Sequence, residues 1–247
     1  MVYLIRLQPI KPWLAINGMS STSDIWVILP AYNEAQVIGQ VLEDLCHYSF
    51  KVVVVDDGSA DDTTGRSAQY PVTILRHATN LGQGAALQTG LSYAVRKGEA
   101  AYIVTFDADG QHHASDIQTM VDACRNGGYD VALGSRFIQG GVAENINPVR
   151  KMALQMAIWL SRRLTGLKLT DTHNGLRVFT HDAASRIHLV QNGMAHASEI
   201  LSQIAALKLR YTEVPVTITY TDYSVGKGQS LLNGVNILWD IIMGKMK

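Results

Sequence analysis

The chain has 247 residues, with 21 Lys+Arg against 21 Asp+Glu, so its formal net charge is zero. An apolar fraction of 47% and a charged fraction of 17% exclude a disordered or coiled-coil chain, which carries more charge. The neutral balance argues against a dedicated nucleic-acid binder, and the low charged fraction hints at surface that does not face bulk water.

The length suits one large domain or two small ones, either with a sizeable core. Cys46 and Cys124 form no CxxC and no bridge framework. Neither a disulfide scaffold nor a zinc site is therefore expected, and a cytoplasmic location is the default. No apolar run approaches the ~18 residues of a membrane-spanning helix. Residues 1–22 are broken by Arg6, Pro9, Lys11 and Pro12, which predicts a poorly ordered extension. Met19 is a candidate start that N-terminal sequencing of the native protein would test.

The elements follow in chain order. A buried strand is expected at 25–29 (IWVIL), then a helix over 34–46 with apolar residues at 37, 38, 41, 42 and 45. A second strand at 51–55 (KVVVV) precedes a short helix at 61–68, and a third strand covers 72–75. A glycine-opened helix spans 84–96, and a fourth strand 101–106 (AYIVTF). A helix at 115–125, capped by Ser115, leads to a fifth strand at 130–134. Beyond the glycine-rich 139–142 come a helix at 148–164, a strand near 176–180, a helix at 196–207, a β-run at 211–220 and a closing helix from about 230 to 243. Continuous apolar strands alternating with helices imply an α/β fold, a parallel sheet covered on both faces. No independent second core is apparent, so one domain with a C-terminal elaboration is expected.

Ligands in such sheets bind at the carboxyl ends of the strands. After the first strand come Pro30, Tyr32, Asn33 and Glu34, an aromatic at the ligand edge or an ordinary turn capped by Asn33. Asp56-Asp57-Gly58-Ser59 follows the second strand, either a polar contact for a base or ribose or a common Asp-Gly turn. Asn80-Leu81-Gly82-Gln83-Gly84 follows the third. Its glycines suit a phosphate cradle or close helix packing, and neither GxGxxG nor a P-loop is present. Asp107-Ala108-Asp109-Gly110-Gln111 follows the fourth. Two carboxylates one residue apart leave the strand on the same side, and with the Gln111 oxygen they make a hard-oxygen set suited to Mg²⁺ or Mn²⁺.

In order and spacing, VILPAYNE, VVVVDDGS, NLGQGAALQTG and FDADGQ, then GSRF (134–137), DTHNGLRVF (171–179) and YTEVPVTITY (211–220), resemble the family 2 glycosyltransferases of the GT-A fold. The nearest likeness is to polyprenyl-phosphate sugar transferases of the dolichol-phosphate mannosyltransferase type. The resemblance implies a mostly parallel GT-A sheet over residues 23–229, with 230–247 a separate amphipathic helix. It implies that Pro30, Tyr32 and Glu34 shape a nucleobase pocket and that Val55 and Asp57 contact base and ribose, with Asp107 and Ala108 also against the nucleotide-sugar. Asp107, Asp109 and Gln111 become the metal set, and Asp109, Arg136 and Arg177 the catalytic residues, the two arginines on phosphates.

The implied reaction moves a sugar from a UDP- or GDP-sugar to an acceptor with inversion, a polyprenyl phosphate leading over a sugar or protein hydroxyl. A hydroxyl acceptor needs a general base, for which Glu199 and Asp171 are the candidates, unless Asp171 serves as a cap or salt-bridges Arg177. A sugar nucleotidyltransferase and a non-catalytic nucleotide-sugar module are the other classes. The first normally carries a basic glycine-rich loop straight after the first strand, which PAYNE lacks, and the intact acidic set speaks against the second. One stretch departs from the family's RxxGxSK pattern: Tyr223 stands at the arginine position and Gln229 at the lysine position, with Lys227 displaced. Lys227, Arg150 and Lys151 are acceptor-phosphate candidates.

Residues 152–160 (MALQMAIWL) are almost wholly apolar, and 145–170 hold Arg150, Lys151, Arg162, Arg163 and Lys168 with no acid. That pattern suits either an anionic membrane interface or a core helix with solvated ends. Peripheral contact with the inner face of the membrane, or with a membrane partner protein, is the expectation. No nucleic-acid partner is expected.

Overall fold

The computed structural model describes residues 2–5, 24–221 and 223. The closing helix expected at 230–247 and Lys227 lie outside them.

The strands form because their residues are apolar on both sides. β2 (Ile25–Ala31) is buried at every position, and β3 (Lys51–Asp56) at every position after the first. Each fully buried Val, Leu or Ile contributes about 1.5–3 kcal/mol, so such runs are stable only between two helical layers. β4 (Thr73–His77) and β5 (Tyr102–Thr105) complete a parallel set in the order β4-β3-β2-β5. β6 (Val131–Ser135), β8 (Arg177–Thr180) and β9 (Tyr211–Pro215) extend it, with β8 antiparallel between β5 and β6. One sheet thus takes strands from both halves of the chain. β7 (Val142–Glu144) and β10 (Thr217–Thr219) pair separately. The single β-run expected at 211–220 is therefore two strands in two sheets, divided at Val216.

Two apolar clusters cover the two faces of the sheet. One holds Leu42, Phe106 and Met120, the other Ile28, Leu91 and Phe179. α1 (Ile38–Cys46) enters the first through Ile38, Val41, Leu42 and Leu45, three and four residues apart on one face. α4 (Ser115–Gly127) joins it there. α3 (Gln83–Lys97) lies on the other face, and its approach depends on Gly90, where a Cβ would stand 2.2 Å from Ile28 Cγ2. α2 (Thr63–Ser67), α5 (Pro148–Thr165), α6 (His181–Arg186) and α7 (His196–Ala206) complete the chain. No helix among the described residues is long and apolar enough to cross a membrane.

Three local expectations change. Val2–Ile5 form β1, antiparallel to β4 at the sheet edge, where disorder was expected for 1–22. Ser115 is the first residue of α4 rather than its cap; the cap position is Ala114, whose N–H donates to Asp44 Oδ2. Pro30 does not end β2, because pairing with β5 stops at Ile28 and leaves that side without a ladder to break.

Strand order reverses at β2, with β3 and β4 on one side and β5 on the other. The crevice at that switch point is where α/β sheets bind ligands.

Candidate active site

Four loops leave the carboxyl ends of β2, β3, β4 and β5 at this crevice. The first turns at Asn33, whose φ of 54° is left-handed backbone that asparagine tolerates. The turn leaves Tyr32 42% exposed and Glu34 buried. Asn33 Oδ1 accepts the Ala60 N–H, and Thr63 Oγ1 accepts the Glu34 N–H. Asn33 therefore ties two loops together rather than capping a helix. Tyr223, at the position where the family pattern has arginine, donates its hydroxyl to Glu34 Oε2 at 2.7 Å. Burial and the Glu34 charge raise its phenol well above the usual range.

The second loop has turned inward. Val55 is wholly buried under α3. The Asp57 carboxylate accepts from His77 Nδ1 (2.6 Å) and the Leu81 N–H (2.9 Å) through Oδ1, and from the Gly82 N–H (2.7 Å) through Oδ2. Neither side chain is presented at the open edge, where base and ribose contacts are expected of these two residues. Asp57 instead fixes the third loop. There the glycines serve packing rather than a phosphate cradle. A Cβ on Gly82 would meet Asn192 O at 2.3 Å and one on Gly84 would meet Gln191 O at 1.9 Å, and the Gly84 N–H is already bonded to Asn192 O.

The fourth loop carries the acids. The buried Ala108 methyl sits in the core, which explains how Asp107 and Asp109 share a side; its own side chain does not reach the crevice. Asp107 is gripped from three directions. Gln83 Nε2 donates to Oδ1 at 3.0 Å, and His112 Nε2 lies 3.2 Å from Oδ2. An ionised carboxylate only accepts, so that nitrogen carries the proton. The third contact is Gly175, where a Cβ would stand 2.0 Å from Oδ2. Burial alone would raise the Asp107 carboxyl, but the His112 bond, with His196 and Arg177 nearby, holds it low. Among the described residues Asp109 makes one internal bond, accepting the Gln111 N–H at 3.1 Å. Burial and the Asp107 charge push it up to about 6.

That arrangement fits a divalent cation. Two hard carboxylates crowd each other in a way that a cation would relieve. Among the described residues no third His, Cys or acid closes a cage, and Mg²⁺-type sites commonly use one or two carboxylates with waters and substrate phosphates. Asp107, Asp109 and Gln111 are the residues that would hold it. Gly175→Ala is expected to push Asp107 aside and weaken Mn²⁺ binding by about ten-fold or more. A Mn²⁺ titration beside a thermal melt checks this; unchanged affinity in a folded variant would remove Gly175 from the site.

The two arginines differ. Arg136 is buried and spent internally: Nε donates to Asp171 Oδ2 at 2.6 Å and Nη1 to the Tyr220 hydroxyl at 2.5 Å. Asp171 therefore pairs with Arg136, not with Arg177. Arg177 is only 3% exposed. It makes no hydrogen bond or ion pair among the described residues, although Asp107 and Asp171 are close enough to act on it electrostatically. Burial pulls it down to about 10 against their attraction. An unpaired buried guanidinium beside a metal-type acid is an anion site in waiting.

A family model described as "Glycosyl transferase family 2" matches residues 26–192. The chain belongs to glycosyl transferase family 2. It is 31% identical over 242 residues to the UDP-N-acetylglucosamine--dolichyl-phosphate N-acetylglucosaminyltransferase of Methanococcus voltae, covering 90% of this chain and 96% of that one. It is 29% identical over 221 residues to the polyprenol monophosphomannose synthase of Mycolicibacterium smegmatis, at 85% and 82% coverage. Its fold is similar to that of Mycobacterium tuberculosis glucosyl-3-phosphoglycerate synthase solved with Mn²⁺ and uridine-diphosphate-glucose. The TM-score is 0.66 at 18% identity, over 88% of this chain and 76% of that one. The fold is GT-A, and the protein is a glycosyltransferase.

In this glycosyltransferase both candidate bases have structural work. Asp171 holds Arg136 and accepts the His173 N–H. Glu199 accepts the N–H groups of Val190 and Gln191, which closes the loop before α7. Sequence reasoning missed Gln83, His112 and Gly175 as holders of Asp107, and Glu213. From β9, Glu213 Oε1 accepts the N–H groups of Thr170 and Asp171 and so seats the Arg136 partner. The signal for Glu213 was an acid inside a β-run, YTEVP. Lys151 is exposed in the first turn of α5, so the structure does not gather it with the acids.

Proposed function

We propose that the protein transfers a sugar from a UDP- or GDP-sugar to a polyprenyl phosphate, with inversion at the anomeric carbon. The observation that carries the acceptor class is the employment of Asp171 and Glu199. Each carboxylate is committed to internal hydrogen bonds, which leaves neither candidate able to activate a hydroxyl. A lipid phosphate is already ionised at neutral pH and attacks without a base.

The leaving nucleoside diphosphate gains negative charge as the glycosidic bond breaks. A Mg²⁺ or Mn²⁺ held by Asp109, Asp107 and Gln111 would neutralise it by charge stabilisation. Arg177 supplies a second, preorganised positive charge in a site with little water, where it acts more strongly than in bulk. Arg136, pinned by Asp171 and Tyr220, shapes the wall beside it. Tyr32, exposed at the β2 edge, stacks on the nucleobase, with Glu34 held beneath it by Tyr223. Val55 and Asp57 line this edge where the base and ribose lie. Arg150, Lys151 and Lys227 are further contacts for the acceptor phosphate. The protein works at the cytoplasmic face of the membrane that holds the acceptor.

The test incubates the protein with Mg²⁺ or Mn²⁺, a panel of UDP- and GDP-sugars, and polyprenyl phosphate. Release of free nucleoside diphosphate that requires the lipid phosphate is the expected result. Turnover with a sugar or peptide hydroxyl instead would move the acceptor. Pyrophosphate release would indicate a nucleotidyltransferase, and no turnover with any pair would leave a binding module.

A further inference from the structure

α5 presents its apolar residues in the wrong direction for a core helix. Ala157, Ile158 and Ser161 are buried, and this helix packs against α7. Met152, Met156 and Trp159 face outward at i, i+4 and i+7, and they are 67%, 54% and 59% exposed. They are the three largest apolar side chains on the helix surface, stacked over two turns on one face. The next turn of that face carries Arg163, whose guanidinium lies 5.5 Å from the Trp159 ring centroid. Lys151, Arg162, Arg163 and Lys168 are exposed around the stripe, and residues 145–170 contain no acid.

We propose that the Met152–Met156–Trp159 stripe docks the protein on an anionic lipid bilayer, with α5 lying in the interface. The charge pattern selects this occupant. A second copy placed about a two-fold axis would bring the same acid-free basic rim against itself, and like charges facing each other disfavour the contact. An anionic membrane offers the opposite charge to the rim and an apolar layer to the stripe. Tryptophan suits that boundary because its ring is apolar and its N–H is polar.

Both ends of α5 run into the site. Its N-terminus follows β7, whose partner β10 donates the Thr219 N–H to Gln111 O beside the acids. Its C-terminus leads through Leu169, whose carbonyl accepts from Arg162 Nε, to Asp171 and its Arg136. A helix seated on lipid would thus hold the acids and arginines close to the surface from which a polyprenyl phosphate projects. In that respect the inference rests on the proposed acceptor.

The test separates the two. Wild type and a Met152→Ser/Met156→Ser/Trp159→Ser variant are floated with phosphatidylcholine vesicles, with and without phosphatidylglycerol. Sugar transfer is measured in parallel with a water-soluble short-chain prenyl phosphate. The expected result is co-flotation of wild type with the anionic vesicles and a drop in bound fraction of about ten-fold or more in the variant, with transfer to the soluble acceptor unchanged. Quenching of tryptophan emission by brominated lipid should also be smaller in Trp159→Phe than in wild type. Equal recovery of wild type with neutral and anionic vesicles, or of the variant and wild type, overturns the proposal. So does a soluble dimer broken by the same substitutions, which assigns the face to a second copy. Wild type that floats as expected but transfers sugar to no prenyl phosphate keeps the membrane surface and removes the acceptor reading.

Discussion

Asp109→Ala lowers kcat by about 10³-fold or more while the protein stays folded. A bound divalent cation supplies several kcal/mol to a developing phosphate charge, and each 1.36 kcal/mol is a factor of ten. The fold survives because the Asp109 side chain makes a single hydrogen bond among the described residues, to the Gln111 N–H next to it. The sign of its stability effect also follows. The Asp109 carboxyl is raised from 3.8 to about 6 by burial and by Asp107. Its contribution to stability is therefore present below about 3.8 and lost as the pH rises through about 6. At pH 7 the metal-free alanine variant should melt no lower than metal-free wild type. Steady-state kinetics, Mn²⁺ titration and thermal melts in the presence of a chelator check these outcomes together. Turnover within ten-fold of wild type would remove Asp109 from the metal site.

Asp171→Ala acts on stability instead. It strands the buried Arg136 guanidinium, whose remaining side-chain hydrogen bond among the described residues is to Tyr220, and it removes the acceptor for the His173 N–H. Breaking one side of a buried pair costs about 3–5 kcal/mol because the remaining charge is left without compensation. In a chain of this size that lowers Tm by about 6–20 °C. Asp171→Asn, which keeps the shape and one acceptor oxygen, should lose less. Adding Arg136→Met to Asp171→Leu should recover part of the loss, since an apolar pair of similar volume removes the stranded charge. A melting temperature for Asp171→Ala within 2 °C of wild type would show that the pair contributes little. If instead the variant melted normally but lost turnover, Asp171 would return as a candidate base.

The two residues illustrate what a sequence can and cannot convey. Asp109 was legible because its meaning is local: a carboxylate two residues past another, directly after a buried apolar strand. The same holds for the strands, whose unbroken apolar runs are buried on both faces, and for α1, whose spacing matched its buried face. Asp171 was not legible, because its role depends on which arginine lies across from it. DTHNGLR placed Arg177 nearer in sequence, yet Arg136 from the end of β6 reached it first. Asp57 likewise read as a ligand contact, and its bonds to His77 and to the loop at Leu81–Gly82 were not legible. Each was a question of pairing across 20 residues or more, and linear spacing carries no information about that.

The sequence by itself determined the fold class, the family and the acidic set, since hydrophobic periodicity and a short motif act within a few residues of one another. Only the tertiary structure decided which polar groups are already satisfied and which are left over. Asp57, Asp171, Glu199 and Arg136 are spent on the protein itself, while Arg177 is buried without a partner among the described residues and Asp109 keeps a single bond. The structure also turned the apolar run at 152–160 so that its methionines and tryptophan point outward. The physical reason is common to all of these: a buried charge or an exposed apolar side chain is defined by its neighbours, and those are chosen by folding.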